Sequence, residues 1–369
     1  MGAHDVGRRL LAGLIVSVLA AGCAGSASLT PTPTSTPGLT ATASTMPAPT
    51  QTPTYVQATL GPTIGVPADD GARIIAVDTN PPVIHCTNAG CSTPTYVLGR
   101  RARDLTIDSP AVGVVRVRLL LPSRFDAQPA TAWPVLYLLD GGAGAYTTWT
   151  EVFDIETLTA PTDLLVVMPD AGADGGYYSD WWNGGKGGPP MWETFHLVEL
   201  RQLLERNWHA GDKRAIAGIS MGGYGAMEYA ARRPGMFLFA GSYSGPLDPV
   251  GGPAFGGVAG APYNRWGDPV AQADVWKAHD PTNNAAALKG TALYVAYGNG
   301  EIGPLDSGSY DPAGVTEREI AAESAAFVKR LGQLKIPVTV HAYAGTHYDP
   351  YWERELHLSF PLILKALAE

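Results

Sequence analysis

The chain has 369 residues, 45% of them hydrophobic and only 16% charged, with a formal net charge of −9. That length and apolar fraction suffice to bury a full core in one large domain. The acidic balance and the lack of a basic cluster in the sequence argue against nucleic acid as a partner, because nothing is available to neutralise phosphates.

The first segment, "MGAHDVGRRLLAGLIVSVLAAGC", sets Arg8 and Arg9 before an apolar run from Leu10 to Ala21 and small residues before Cys23. This pattern predicts an export signal over residues 1–22, and the run is short for a transmembrane helix. Its end resembles a bacterial lipobox, although Ala20 stands where that pattern usually has Leu. The resemblance implies that Cys23 becomes the acylated first residue, holding the protein on the outer face of the cell membrane. Residues 23–54 are nearly all Thr, Pro, Ser, Ala and Gly, which predicts an extended tether.

Residues 55–98 are expected to form an N-terminal extension with one strand-like run, Arg73 to Val77. Within it, Cys86 and Cys91 enclose a turn-like segment containing Asn88 and Gly90. In an exported chain this spacing predicts a local disulfide. A metal site would need further ligands, and only His85 is adjacent.

From residue 99 onward the pattern becomes regular. After "RARDLTIDSP", the segments "VGVVRVRLLLP", "WPVLYLLDG", "TDLLVVMPD", "RAIAGIS", "FLFAGSYSG", "ALYVAYGNG" and "PVTVHAYAG" are short β-rich runs. "WETFHLVELRQLLERNW", "GYGAMEYAARRP" and "TEREIAAESAAFVKRLGQL" have helical spacing between them. Strands alternating with helices predict an α/β fold over residues 99–369, a mostly parallel sheet covered by helices on both faces. The Gly- and Pro-rich stretch over about residues 246–285 interrupts two core strands and is expected to form a cap over the site.

Gly218-Ile219-Ser220-Met221-Gly222 fits the G-x-S-x-G pattern, which arises by chance in roughly one chain of this composition in five. Its setting is more specific: a strand precedes it and a helix follows, as a nucleophile elbow of the α/β-hydrolase fold requires. A serine hydroxyl needs a base, itself oriented by a carboxylate, and in this fold the chain order is Ser, acid, His. Three histidines follow: His341 inside a strand, His357 at helical spacing among apolar residues, and His347 in the loop after the last strand. The loop position selects His347. For the acid, Asp306, Asp311, Glu317, Glu319 and Glu323 remain open on spacing alone. An oxyanion needs two backbone N–H groups; Met221 supplies one by its position after Ser220, and Gly142 in "LLDGGAGAY" is the candidate for the other.

From Leu105 to the C-terminus the sequence resembles the antigen 85 mycolyltransferases, within the esterase group that includes S-formylglutathione hydrolase. Seven blocks carry the likeness in order: "VLYLLDG", "VVMPDAGADGGYYSDWW", "MWETFHLVEL", "GISMGG", "SGPLDP", "HDPTNNAAALKGTALYVAYGNG" and "GTHYDPYW". The resemblance implies an α/β-hydrolase forming an acyl-enzyme on Ser220, with His347 as base, Glu317 as acid and Glu319 as second choice. It also puts the oxyanion donors at Gly142 and Met221 and an acceptor contact at Asp140. Trp181, Trp182, Tyr348 and Trp352 are candidates for binding a sugar or an acyl chain.

The implied substrates are lipid-like carboxylic esters, with water or a sugar or glycerol hydroxyl as acceptor and no cofactor. Trehalose mycolyl transfer is the specific activity the resemblance implies, but Ala143 stands where the family carries an arginine that helps bind trehalose, which counts against that acceptor. Two other expectations compete. One is a non-catalytic cell-surface binding protein of the same fold, which the intact Ser, Glu and His disfavour. The other is an S-formylglutathione hydrolase-like thioesterase, which the export signal disfavours.

Overall fold

The computed structural model describes residues 71–83, 86–87, 90–91, 95–96, 101–128, 131–142, 144–172, 176–182, 190–253, 265–309 and 311–368. The predicted leader, Cys23 and the tether lie outside the described residues, as does Ala143. Nine strands form one sheet: β1 (Arg73–Asp78), β2 (Ala102–Ser109), β3 (Gly113–Leu120), β4 (Trp133–Leu139), β5 (Leu165–Pro169), β6 (Ala210–Ile219), β7 (Phe239–Tyr243), β8 (Ala292–Gly298) and β9 (Thr339–Tyr343). Their spatial order is β1-β2-β3-β5-β4-β6-β7-β8-β9. The first three strands and the β3–β5 pair are antiparallel, and the sheet is parallel from β5 through β4 to β9. This is the α/β-hydrolase arrangement.

One boundary differs from the sequence reading. The run Arg73–Asp78, assigned above to an extension, pairs with β2 from Arg73↔Asp108 to Asp78↔Asp104 and so belongs to the sheet. A single exposed strand has unsatisfied backbone groups, and the edge of β2 supplies their partners.

The central strands are apolar along their whole length because both faces are covered. In β4, Val135, Tyr137 and Leu139 enter the core on one face, while Leu136 and Leu138 enter the core on the other. Three helical segments cover the first face. These are the run Trp192–Thr194, Phe195–Leu200 and α1 (Arg201–Asn207), whose middle part is a π-helix, then α2 (Met221–Arg232) and α4 (Val315–Leu334). They contribute Phe195, Leu200, Met227, Tyr229, Phe327 and Leu331. The opposite face is covered by α5 (Asp349–Ala368) and by Trp149, Phe153 and Ile155.

Of the insertion predicted as a cap, the described parts carry the short helix α3 (Ala273–Ala278) and a turn Pro281–Asn284. They are anchored on α2. Tyr224 Oη donates to the His279 carbonyl at 2.8 Å, and Arg232 donates to the Ala278 carbonyl at 3.1 Å. Arg232 also pairs with Glu193 at 2.7 Å, both buried, so α2, the insertion and the start of the π-helical segment share one polar junction.

Candidate active site

Ser220 stands between β6 and α2 at φ 51°, ψ −122°, a left-handed conformation that side chains rarely adopt. Its neighbours explain how the turn closes. A Cβ on Gly218 would lie 2.2 Å from the Gly222 carbonyl oxygen, and one on Gly222 would lie 2.3 Å from that of Leu139. No larger residue fits where strand and helix approach this closely. The Ser220 N–H donates to the Tyr243 carbonyl at 2.8 Å, which pins the turn to β7.

His347 follows β9 in a loop and lies against Ser220, its Nε2 2.9 Å from Ser220 Oγ. Its Nδ1 is 2.6 Å from Glu317 Oε2. The carboxylate can only accept, so Nδ1 carries the proton and Nε2 is left to accept from the serine hydroxyl. The Trp352 ring meets the imidazole edge-on at 4.7 Å between centroids.

Glu317 lies in the first turn of α4 and is fully buried. Burial normally penalises an ionised carboxyl, and here its Oε1 accepts from the Gly298 N–H at 2.6 Å and from Ser244 Oγ at 2.7 Å. With Nδ1–H on Oε2, both oxygens are satisfied. The remaining acid candidates are engaged elsewhere. Asp311 accepts from the N–H groups of Val315 and Glu317 at the start of α4. Asp306 accepts from the Gly303 N–H, Tyr351 Oη and Thr346 Oγ1. Glu323 is buried beside Gly252 and accepts from the Asp248 N–H at 3.4 Å. Glu319 is half-buried two residues beyond Glu317. Of the other histidines, His341 pairs with Glu355 at 2.8 Å and His357 with Asp154 at 2.8 Å.

Met221 is the first residue of α2, where the backbone N–H has no acceptor inside the helix. Facing it, the chain leaving β4 passes close to the nucleophile: a Cβ on Gly141 would lie 3.5 Å from that of Ser220. Gly142 is exposed, and a Cβ there would meet nothing within 4 Å. The glycine required by packing in this turn is Gly144, whose N–H donates to the Gly141 carbonyl and whose added Cβ would lie 2.9 Å from that of Asp140.

Asp140 is buried and accepts from Tyr178 Oη at 2.8 Å. Of the four aromatic candidates, two are tied to the insertion. Trp181 donates to the Gly176 carbonyl and lies 4.8 Å from the Arg265 guanidinium, and Trp182 packs on the cluster of Tyr224, Trp266 and Trp276. The other two are buried. Tyr348 donates to the Ser307 carbonyl, and Trp352 donates to Ser244 Oγ at 3.0 Å.

Sequence reasoning missed Ser244 and Tyr178. The signals were present: both lie in quoted blocks, "SGPLDP" and "GGYYSDWW", in the segments that follow the carboxyl ends of β7 and β5, where this fold gathers its site residues.

An α/β-hydrolase sheet with a Ser–His–Glu hydrogen-bonded chain at its strand ends defines the class of serine hydrolase-like esterases. Residues 113–362 match the Esterase family model, described as "Putative esterase", and the chain belongs to that family, on its antigen 85-like side. It is 32% identical over 250 residues to Esterase Rv1288 of Mycobacterium tuberculosis, covering 63% of this chain and 52% of that protein. The chain thus spans about half the length of the first curated relatives it matches. Diacylglycerol acyltransferase/mycolyltransferase Ag85A of Mycobacterium leprae is 33% identical over 247 residues, covering 61% of this chain and 72% of that one. Among solved structures, Mycobacterium tuberculosis MPT51 (FbpC1) is similar with a TM-score of 0.56 at 27% identity, covering 70% of this chain and 96% of that one. An S-formylglutathione hydrolase from Agrobacterium tumefaciens shares the fold with a TM-score of 0.60 at 16% identity, covering 72% and 95%.

Proposed function

We propose that this protein is an esterase or acyltransferase that carries the acyl group on Ser220. The observation that supports it most is the unbroken chain from Ser220 Oγ through His347 to the buried Glu317, at 2.9 and 2.6 Å. In this reading Ser220 Oγ attacks the ester carbonyl while its proton passes to His347 Nε2. Glu317 holds the Nδ1–H and stabilises the imidazolium that forms. The oxyanion of the tetrahedral intermediate accepts from the N–H groups of Gly142 and Met221. Collapse breaks the bond to the leaving alkoxide, which takes the proton from His347, and leaves acyl-Ser220. Water or a sugar or glycerol hydroxyl then gives its proton to His347 and takes the acyl group, restoring Ser220.

Lipid-like acyl esters are the substrate class, in keeping with relatives named for diacylglycerol and mycolyl transfer. A fluorophosphonate probe tests the reading. Wild type should carry one adduct on Ser220 and Ser220→Ala none; an adduct that survives that substitution, or no adduct on wild type, sinks it. A fatty acyl ester supplied with and without trehalose or glycerol, with products identified by mass, separates the acceptors: free acid alone in every case excludes transfer to those hydroxyls.

The leader and tether support export with a lipid on Cys23, and no described helix is long and apolar enough to cross a membrane. Incorporation of labelled palmitate that disappears in Cys23→Ala is the expected result; equal incorporation in both chains rejects the anchor. The backbone pairing Cys86↔Cys91 in a two-stranded ladder favours the local disulfide. Alkylation of both thiols without reductant would rule it out.

A further inference from the structure

Asp140 directly follows β4 and leads into Gly141 and Gly142, and only 2% of it is exposed. Tyr178 Oη lies 2.8 Å from its Oδ1 and 3.0 Å from its carbonyl oxygen, so one hydroxyl pins both side chain and backbone. Its Oδ2 is buried with no hydrogen-bond partner. An anionic oxygen left bare in the interior is far more costly than a neutral acid whose O–H sits there. This arrangement therefore suits a protonated carboxyl, with Oδ1 accepting from Tyr178 and the proton on Oδ2. Burial chiefly, and then the like charge of Asp170 beyond β5, push the Asp140 carboxyl up to about 7, while the Tyr178 hydrogen bond opposes them.

Tyr178 is itself fixed. Its backbone is held at φ 45°, and its ring lies against Gly225 of α2, where a Cβ would come within 2.4 Å. The rings of His196 and Tyr229 flank it at 5.6 and 5.8 Å. The Asp140 carbonyl in turn abuts α2, since a Cβ on Gly222 would lie 2.5 Å from that oxygen. Asp140 and Tyr178 thus fasten the glycine turn to the helix that begins at the nucleophile.

We propose that Asp140 and Tyr178 are a positioning pair for the oxyanion site, in which Asp140 works as a neutral acid and its ionisation sets an alkaline limb in the pH profile. The inference rests on the reading of Gly142 and Met221 as oxyanion donors. A neutral Asp140 keeps the turn in register without placing charge near the developing oxyanion. Ionised, it sets a like charge two residues from one donor and weakens the site.

The test uses the full chain, p-nitrophenyl butyrate from pH 5 to 9, and fluorophosphonate labelling of each variant. Wild-type kcat should fall on the alkaline side. Asp140→Ala and Tyr178→Phe should lower kcat about tenfold with KM within about twofold, the scale of a sub-ångström misplacement of the reacting groups. Asp140→Asn, which keeps the acceptor for Tyr178 and cannot ionise, should recover most of the loss suffered by Asp140→Ala and lack the alkaline limb. An Asn variant that retains that limb, or a Tyr178→Phe variant with unchanged kcat, overturns the proposal. Should the Asn variant not fold, the kcat-against-KM split of Tyr178→Phe decides alone. A wild type that takes no adduct on Ser220 removes the underlying site reading, whereas normal labelling with an unaltered limb in Asp140→Asn removes only the pair.

Discussion

Ser244 donates to Glu317 Oε1 at 2.7 Å from a backbone held at φ 53°, and accepts from Trp352 Nε1 at 3.0 Å. It is the one side-chain donor in direct contact with Glu317 other than His347 among the hydrogen bonds described above. A left-handed conformation at a residue other than glycine is kept only where its surroundings demand it. Removing the hydroxyl strips a buried carboxylate of one donor and leaves the Trp352 N–H without its acceptor, a change costing about 1–3 kcal/mol per unsatisfied group. Ser244→Ala is expected to lower kcat on an acyl ester about tenfold or more while Ser220 still takes the fluorophosphonate. An unchanged kcat would show that the Gly298 N–H alone suffices.

The choice between the two glutamates separates equally well. Glu317 is fully buried against His347, and Glu319 is half-buried, two residues on in the same helix. In an α-helix two positions differ by about 200° of rotation, so both cannot face the same imidazole. Glu317→Gln should lose two or more orders of magnitude in kcat, by analogy with the wrong-tautomer effect in serine hydrolases, and Glu319→Gln should stay within about twofold. Equal losses in the two variants would reject Glu317 as the orienting acid.

These contrasts locate what the sequence could disclose. The β-runs and helices from residue 101 onward were readable because buried parallel strands are apolar throughout and the intervening helices are amphipathic. That Ser220 and His347 come together was readable because a nucleophile elbow requires a particular turn and this fold a particular chain order. The acid was not separable on spacing, since Glu317, Glu319 and Glu323 share one helix and only packing against Gly298 and Ser244 tells them apart. Tyr348 and Trp352 looked available for binding because an aromatic residue carries no mark of burial in the sequence; their polar atoms donate to Ser307 and Ser244. Likewise nothing local shows that Arg73–Asp78 finds its partner at the edge of β2, about 30 residues later.

His196 gives the fold an acid-sensitive point away from Ser220. Its Nε2–H donates to the Asp170 carbonyl at 2.9 Å and its Nδ1 accepts from Tyr229 Oη at 2.8 Å. Burial pulls the imidazole down to about 4 from its ordinary 6.5. The unfolded chain takes up a proton here as pH falls below about 6.5, while the folded protein stays neutral until about 4. Stability present above pH 6.5 is therefore lost through that window, at a limiting slope of about 1.4 kcal/mol per pH unit. Denaturant midpoints at pH 7, 5.5 and 4.5 should fall more steeply for wild type than for His196→Gln, which cannot titrate. Parallel slopes would mean that this histidine takes up its proton as readily in the fold as in the unfolded chain.

Gly225 sets two effects of opposite sign against each other. It lies inside α2, where replacing glycine by alanine ordinarily stabilises a helix by about 1 kcal/mol. Here the new Cβ would lie 2.4 Å from Tyr178 Cγ and 2.5 Å from Cδ2. Those atoms belong to the root of a buried ring, held by His196, Tyr229 and Asp140, and cannot swing aside as the end of a flexible chain would. Overpacking of this kind costs about 1–3 kcal/mol, so the clash outweighs the propensity gain. Gly225→Ala is expected to lower Tm despite its better helix former. Because the displaced ring carries the hydroxyl that pins Asp140, kcat should fall as well, toward the value for Tyr178→Phe. A raised Tm with unaltered kcat would mean that Tyr178 yields freely and does not hold the turn.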